Sequence, residues 1–272
     1  MDAQKLREIV NRSGFPLQLG LQHVLEDSAS QHGWRVKFEE HSWSNSRDGQ
    51  SGFIDLVIED RNKSTVLVIE CKRVLDQDWI FLCSEREAND RRFCKGWVSY
   101  YNGERLSYFD WHQLTAEPDC PQSSYCVVNG QDQKARPMLE RTAGEIISAT
   151  EALATEEAPL AFANHEEIKV YFSVIVTTAR LQVCTVDTAK INIEDGTIDE
   201  SMHEERPFIR FRKQLSTAPA RNDESAFGID NERALPSAKE HVVFVVNSKN
   251  FLSFVEQFEF NENRVKYLWR RS

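Results

Sequence analysis

The sequence predicts an α/β protein with a central mixed β-sheet flanked by helices and a β-rich region in its C-terminal part. Three observations carry this: an amphipathic helical stripe near the start, three strand-like runs directly behind it, and a second helical stripe from Pro137 that leads into a mostly β texture. At 272 residues the chain has length for one large domain or two modest ones, and for a sizeable core.

Asp2 to Asn11 reads as a short helix that ends at Ser13-Gly14. Pro16 suits the first turn of the next helix, where its missing N–H costs nothing, and Leu17, Leu21, Val24 and Leu25 form one stripe over residues 16–30. Trp34 to Phe38 alternates as a strand with one buried face, and Ser44 to Ser51 is polar enough for a loop. Two further strands, 53–59 and 65–74, complete the order helix, strand, strand, strand. Trp79 to Leu82 is another apolar piece, 85–95 is a polar helix or loop, and Trp97 to Tyr101 and Tyr125 to Val128 look like strands around an irregular stretch at 115–124. The clearest helix begins at Pro137, with Leu139, Ala143, Ile146, Ile147, Thr150 and Leu153 on one face.

The acidic, alanine-rich stretch 155–166 reads as a linker between a first domain, 1–154, and a β-rich α/β region, 167–272, packed on it. Within that region Ile168 to Thr177, Leu181 to Val186, Lys190 to Ile193, Phe208 to Arg212 and Val242 to Val246 are strand-like. Ser216 to Lys239 reads as a long loop, and Lys249 to Phe258 as a closing helix.

Composition narrows the class. A 40% hydrophobic, 28% charged chain is ordinary for a soluble protein, and neither a membrane-length apolar run nor a signal-peptide core is present, so a cytoplasmic protein without membrane contact is expected. The six cysteines show no C-x-x-C pair and read as free buried thiols. Gly103, Gly130 and Gly144 form no phosphate-cradling loop of the Walker or dinucleotide type, which argues against built-in ATPase or redox chemistry. The net charge of -10 is unfavourable for wrapping nucleic acid, although most of the acidity lies beyond residue 100.

Chemistry enters with Gly52-Phe53-Ile54-Asp55-Leu56-Val57-Ile58 and Val66-Leu67-Val68-Ile69-Glu70-Cys71-Lys72-Arg73. Asp55, Glu70 and Lys72 lie inside apolar strands, where a charge is costly unless paired or holding a metal. Glu70 and Lys72 share a face and Cys71 points to the other. With Asn62-Lys63 as the hairpin tip, Asp55 falls opposite Glu70, at Cβ separations of about 4.5 to 5.5 Å. Two such carboxylates repel unless a cation lies between them, and Mg2+ suits the need: a hard ion bound by one or two carboxylates while keeping several waters. Lys72 is then placed to orient or deprotonate a water, or to steady charge on phosphorus. Glu-x-Lys alone carries no weight, because Glu167-Ile168-Lys169 repeats it without a preceding strand-embedded Asp.

The constellation resembles the PD-(D/E)XK nuclease superfamily, and Gly14-Phe15-Pro16-Leu17 with the Trp79 region resembles its prokaryotic, restriction endonuclease-like members. The resemblance spans residues 14–82. It implies a restriction endonuclease-like core, Asp55 and Glu70 as metal ligands, Lys72 as the catalytic lysine, Mg2+ with Mn2+ as a substitute, and hydrolysis of phosphodiesters, most often in DNA, in prokaryotic defence or repair. Many such sequences carry a glutamate after the Pro-Leu of the first helix; here Gln18 stands there, an acceptor without charge. Arg73, Arg91 and Arg92, and the aromatic-interleaved Arg210, Arg212 and Lys213, are candidate nucleic-acid contacts, the last three equally readable as solvating charges on an edge strand. The competing expectation is a catalytically weak or silent nuclease-fold protein that binds nucleic acid or a protein partner, a homodimer included.

Overall fold

A computed structural model describes residues 2–75, 77–84, 93–102, 104–114, 121–129, 137–163, 168–215 and 234–261. Two short helices, α1 (Ala3–Arg12) and α2 (Phe15–Asp27), and a single turn, α3 (Ala29–His32), precede three antiparallel strands, β1 (Arg35–Ser44), β2 (Ser51–Glu59) and β3 (Thr65–Lys72). Then come β4 (Asp78–Ser84), β5 (Phe93–Asn102), β6 (Glu104–Gln113), β7 (Gln122–Ser123), β8 (Tyr125–Val128) and the long helix α4 (Met138–Ala163). The chain continues through β9 (Lys169–Thr177), β10 (Arg180–Val186), β11 (Met202–Glu205) and β12 (Phe208–Gln214). It closes with α5 (Ala234–Lys239), β13 (Glu240–Asn247) and α6 (Phe251–Gln257).

The strands form a nine-stranded mixed sheet, ordered β1-β2-β3-β9-β13-β12-β7 with the β5–β6 hairpin attached to β9, and a four-stranded sheet, β11-β10-β4-β8. β9 runs parallel to both β3 and β13. Its burial explains this: every residue from Lys169 to Thr177 is buried, the pattern of a strand covered on both faces. The pairing of β3 with β9 begins at Thr65 and Val170 and ends at Lys72 and Thr177. Both strands then leave the large sheet together, and β4 and β10 pair in parallel in the small one. Thr178 holds this corner, its Oγ1 donating to the Val74 carbonyl and accepting from the Val74 N–H.

One face of the large sheet packs against α4 and the small sheet, through Val66, Val68, Leu139, Ile146, Leu153, Trp79 and Phe81. The opposite face packs against α2 and α6, through Leu21, Leu25, Leu67, Ile69, Phe244 and Phe254. The stripe expected on α4 is buried; of the one expected on α2, Leu21 and Leu25 are buried, Leu17 is half-buried and Val24 is 38% exposed, and Ala149, Ala152, Ala154 and Ala158 let α4 lie close to the sheet.

Four expectations need correction. Residues 155–163 are the last turns of α4, not a linker: Glu157, which reads as a solvent residue, is buried against Lys37 and the Tyr171 hydroxyl, and 164–167 lie outside the described residues. The boundary at 155–166 therefore does not divide the sheet, since β9 lies between β3 and β13. Lys190 to Ile193 is not a strand, because Asp187 caps a short 3-10 turn over Thr188–Lys190 and Asn192 and Asp195 close the turns that follow. Within the expected 216–239 loop, residues 234–239 are helical and 216–233 lie outside the described residues.

Candidate metal centre and cleft

The β2–β3 turn sets the register. Asp60 accepts from the N–H groups of Ser64 and Thr65, and Lys63, at φ 58°, closes the bend by donating to the Asp60 carbonyl. Leu56 then pairs with Ile69, Val57 with Val68 and Ile58 with Leu67, the register expected from an Asn62-Lys63 tip. The main-chain ladder stops at Leu56. One step on, the Asp55 carboxylate takes over, its Oδ2 accepting from the Cys71 N–H at 2.6 Å.

Strand β2 is irregular at this point. Ile54 packs on the α4 side and Leu56 on the α2 side, although residues two apart in a regular strand share a face. The partner strand breaks with it: Glu39 pairs with Leu56 and His41 with Ile54, while Glu40 between them takes φ 47°. Asp55 and Glu40 thus face each other across a gap in the ladder, a sparsely populated conformation of the sort found at functional sites. Gln18 of α2 braces the irregularity from the other layer, its buried amide donating 2.8 Å to the Asp55 main-chain carbonyl.

On β3, Glu70 and Lys72 share the α4-facing side, with Lys72 Nζ 2.6 Å from Glu70 Oε1, and Cys71 is buried on the opposite side. Burial pushes the Asp55 carboxyl above its ordinary range, and Glu40 adds to this while the Cys71 amide and Lys72 oppose it. Burial also raises Glu70, helped by Asp55 and Glu145 and opposed by Lys72. Burial works against the Lys72 ammonium, but Glu70, Asp55 and Glu145 together outweigh it and hold that group above its usual value. The centre is thus a pair of reluctantly ionised carboxyls beside a firmly protonated lysine. Burial leads both shifts, and a positive charge placed between the two carboxyls would favour their ionised forms. No group of three or more His, Cys, Asp or Glu side chains arranged for a metal occurs among the described residues.

Glu70 lines a cleft of about 480 Å³, with Trp43 and Phe53 on one wall and Arg141, Glu145 and Ser148 of α4 on the other. The β1–β2 loop is tied across it to α4: Arg47 forms an ion pair with Glu151, Asn45 donates to Ser148 Oγ, and Ser148 donates to Asp48. The roles of Arg141 and Glu145 have no sequence signature, since about seventy residues separate them from β3 and only the topology brings them back.

The candidate nucleic-acid contacts are dispersed. Arg73 is half-buried just past β3, and Arg91 and Arg92 lie outside the described residues. Arg210 is buried in β12, which runs between β13 and β7, and its guanidinium donates to the Phe93 carbonyl. Arg212 forms an ion pair with Glu240 and lies 4.6 Å from the centre of the Trp111 ring, and Lys213 forms an ion pair with Glu140. Their contacts are with groups on other strands and on α4, while the interleaved Phe208 and Phe211 are buried in the core. The rival Glu-x-Lys falls at the far end of β9 from Lys72, where Lys169 is buried; its glutamate lies outside the described residues.

The described cysteines are free thiols, and no described helix is long and apolar enough to cross a membrane. Comparison with protein-family models, with curated proteins and with solved structures finds no match.

Proposed function

We propose that the protein is a metal-dependent nuclease hydrolysing phosphodiester bonds, with DNA as the expected substrate. The observation that carries this reading is the meeting of Asp55, Glu70 and Lys72 at the point where the β2–β3 ladder opens beside the cleft. The order of α2, three antiparallel strands, α4 and a strand parallel to β3 fits the restriction endonuclease-like core that the sequence resembles.

Asp55 Oδ1 and the Glu70 carboxylate would hold Mg2+ or Mn2+, since Asp55 Oδ2 is taken up by the Cys71 amide. Such an ion supplies Lewis acidity toward a phosphoryl oxygen and a more acidic water. Lys72, on the same face as Glu70 and 2.6 Å from it, would act as a cation toward charge developing on phosphorus. Gln18 is a positioning residue: its amide fixes the Asp55 main chain and so the aim of the carboxylate.

The test is cleavage of supercoiled, linear and single-stranded DNA in Mg2+ and Mn2+. Asp55→Ala, Glu70→Gln and Lys72→Ala should each lower turnover at least about 100-fold with unchanged circular dichroism. Equal cleavage by all three variants sinks the reading. A second reading, a silent nuclease-fold module, is motivated by the uncharged Gln18 and the net charge of -10. Calorimetric titration separates them: heat of Mg2+ binding that disappears in Asp55→Ala supports the enzyme, and no binding at all supports the module.

A further inference from the structure

The wall of the cleft facing α4 carries an aromatic ring that folding does not require. Phe53 is 64% exposed, two residues before Asp55 on the same strand, and it lines the cleft that Glu70 enters. Gly52 beside it keeps that wall low, since a Cβ there would meet the Trp43 indole nitrogen at 3.3 Å. Opposite stands Arg141, an exposed cation on α4, next to Gly144. A cavity of about 480 Å³ is in the range of sites for small ligands, roughly 300–1,000 Å³. That is the scale of a nucleotide-sized ligand.

The charge distribution points the same way. Arg210, Arg212 and Lys213 are each engaged by partners within the fold, and the chain carries a net charge of -10, which is unfavourable for broad contact with two phosphate backbones. Stacking does not need them. Every base presents a π face, and aromatic platforms with a few cations bind single strands without reading sequence.

We infer that the cleft receives an unpaired strand of nucleic acid, a base stacking on Phe53 while an adjacent phosphate meets Arg141. The inference rests on the nuclease reading and names the form of its substrate: single-stranded or locally opened nucleic acid. Phe53 touches the base and Arg141 the backbone, which leaves Glu70 and Asp55 beside the phosphodiester that follows.

The test uses the full chain carrying Glu70→Gln, so that binding is read without turnover, and a single-stranded oligonucleotide containing 2-aminopurine, with the matching duplex as control. Binding should quench 2-aminopurine fluorescence in the single strand. Phe53→Ala should weaken that binding roughly tenfold to a hundredfold and remove the quench, and Phe53→Tyr should restore both. Arg141→Ala should lower the salt dependence of log K by about 0.7, the share of one phosphate contact on a single strand. Both side chains are exposed, so these variants fold. Equal affinity for duplex and single strand, unchanged by Phe53→Ala, overturns the inference even if the unsubstituted protein cleaves DNA. Phe53-dependent binding of the single strand upholds it even if no DNA is cleaved, in which case only the hydrolytic reading falls.

Discussion

Glu40 and Lys63 are the described non-glycine residues with positive φ, and they differ in what surrounds them. Lys63 sits at an exposed turn whose bend is already held by Asp60, so its left-handed backbone only costs energy. Lys63→Gly should therefore stabilise the protein by about 1 kcal/mol, read as a higher denaturant midpoint at constant slope. Gln18 shows a different economy. A glutamate there would add a charge to the proposed metal centre, but the Asp55 carbonyl it faces needs a donor. Gln18→Glu should cost about 1–3 kcal/mol and lower cleavage, since a carboxylate against a carbonyl leaves a buried acceptor unsatisfied. The raised carboxyls give a sign-definite pH effect. A proton held by Glu70 at a pH where the unfolded chain has released it means that native stability falls as pH rises through the interval between ordinary and raised values. The metal-free Glu70→Gln variant should thus melt above the parent protein at neutral pH, and the gap should close on acidification toward about pH 4. Mg2+ affinity of the parent should weaken over the same acid interval, because the ligands must be ionised; calorimetry at several pH values checks it.

At the level of elements, the packing of β5 on β9 makes Gly96 a steric requirement. A Cβ at Gly96 would stand 2.7 Å from Phe172 Cε1 and 3.0 Å from Val170 Cγ1, and Phe172 is wedged among Phe258, Phe260 and His112 with no room to turn aside. Gly96→Ala should cost about 1–3 kcal/mol, measured by thermal or denaturant unfolding. The β2–β3 hairpin was readable in advance because two short-range rules determine it: the period of two assigns the faces, and the turn centre assigns the pairs. What escaped is what those rules do not govern. The break at Asp55 needs the partner residue Glu40, and nothing in the alternation of β2 announces it. Strand β11 was passed over because Met202–Glu205 is almost wholly polar, and β6 because its apolar residues change phase, Leu106 and Tyr108 falling in one phase of the alternation and Phe109 and Trp111 in the other. Residues 155–163 read as a linker because Glu157 and Glu156 suggest solvent, while Lys37 and His41 meet them only in the folded protein.

Across the whole molecule, the parallel pairing of β3, β9 and β13 ties the first and last thirds of the chain into one sheet. Unfolding should therefore be a single transition, and a fragment ending at residue 154 should fail to fold, because it lacks β9 and leaves the buried edge of β3 open. Scanning calorimetry of the full chain, and solubility with circular dichroism of the fragment, test both statements. The α/β class and mixed sheet were legible from the order of helical and strand-like stretches. That the C-terminal region supplies the sheet's interior was not, because β9 reads as any apolar strand until its neighbours are known. The same topology orders events during synthesis. At roughly 5–20 residues per second, a ribosome that has completed β3 needs some seconds more before β9 emerges, about a hundred residues later. For that interval the nascent hairpin already holds Asp55, Glu70 and Lys72 yet lacks the strand beside them and the helix that walls the cleft. The proposed centre of an unfinished chain is thereby incomplete, and its exposed apolar edge is what a chaperone would meet first.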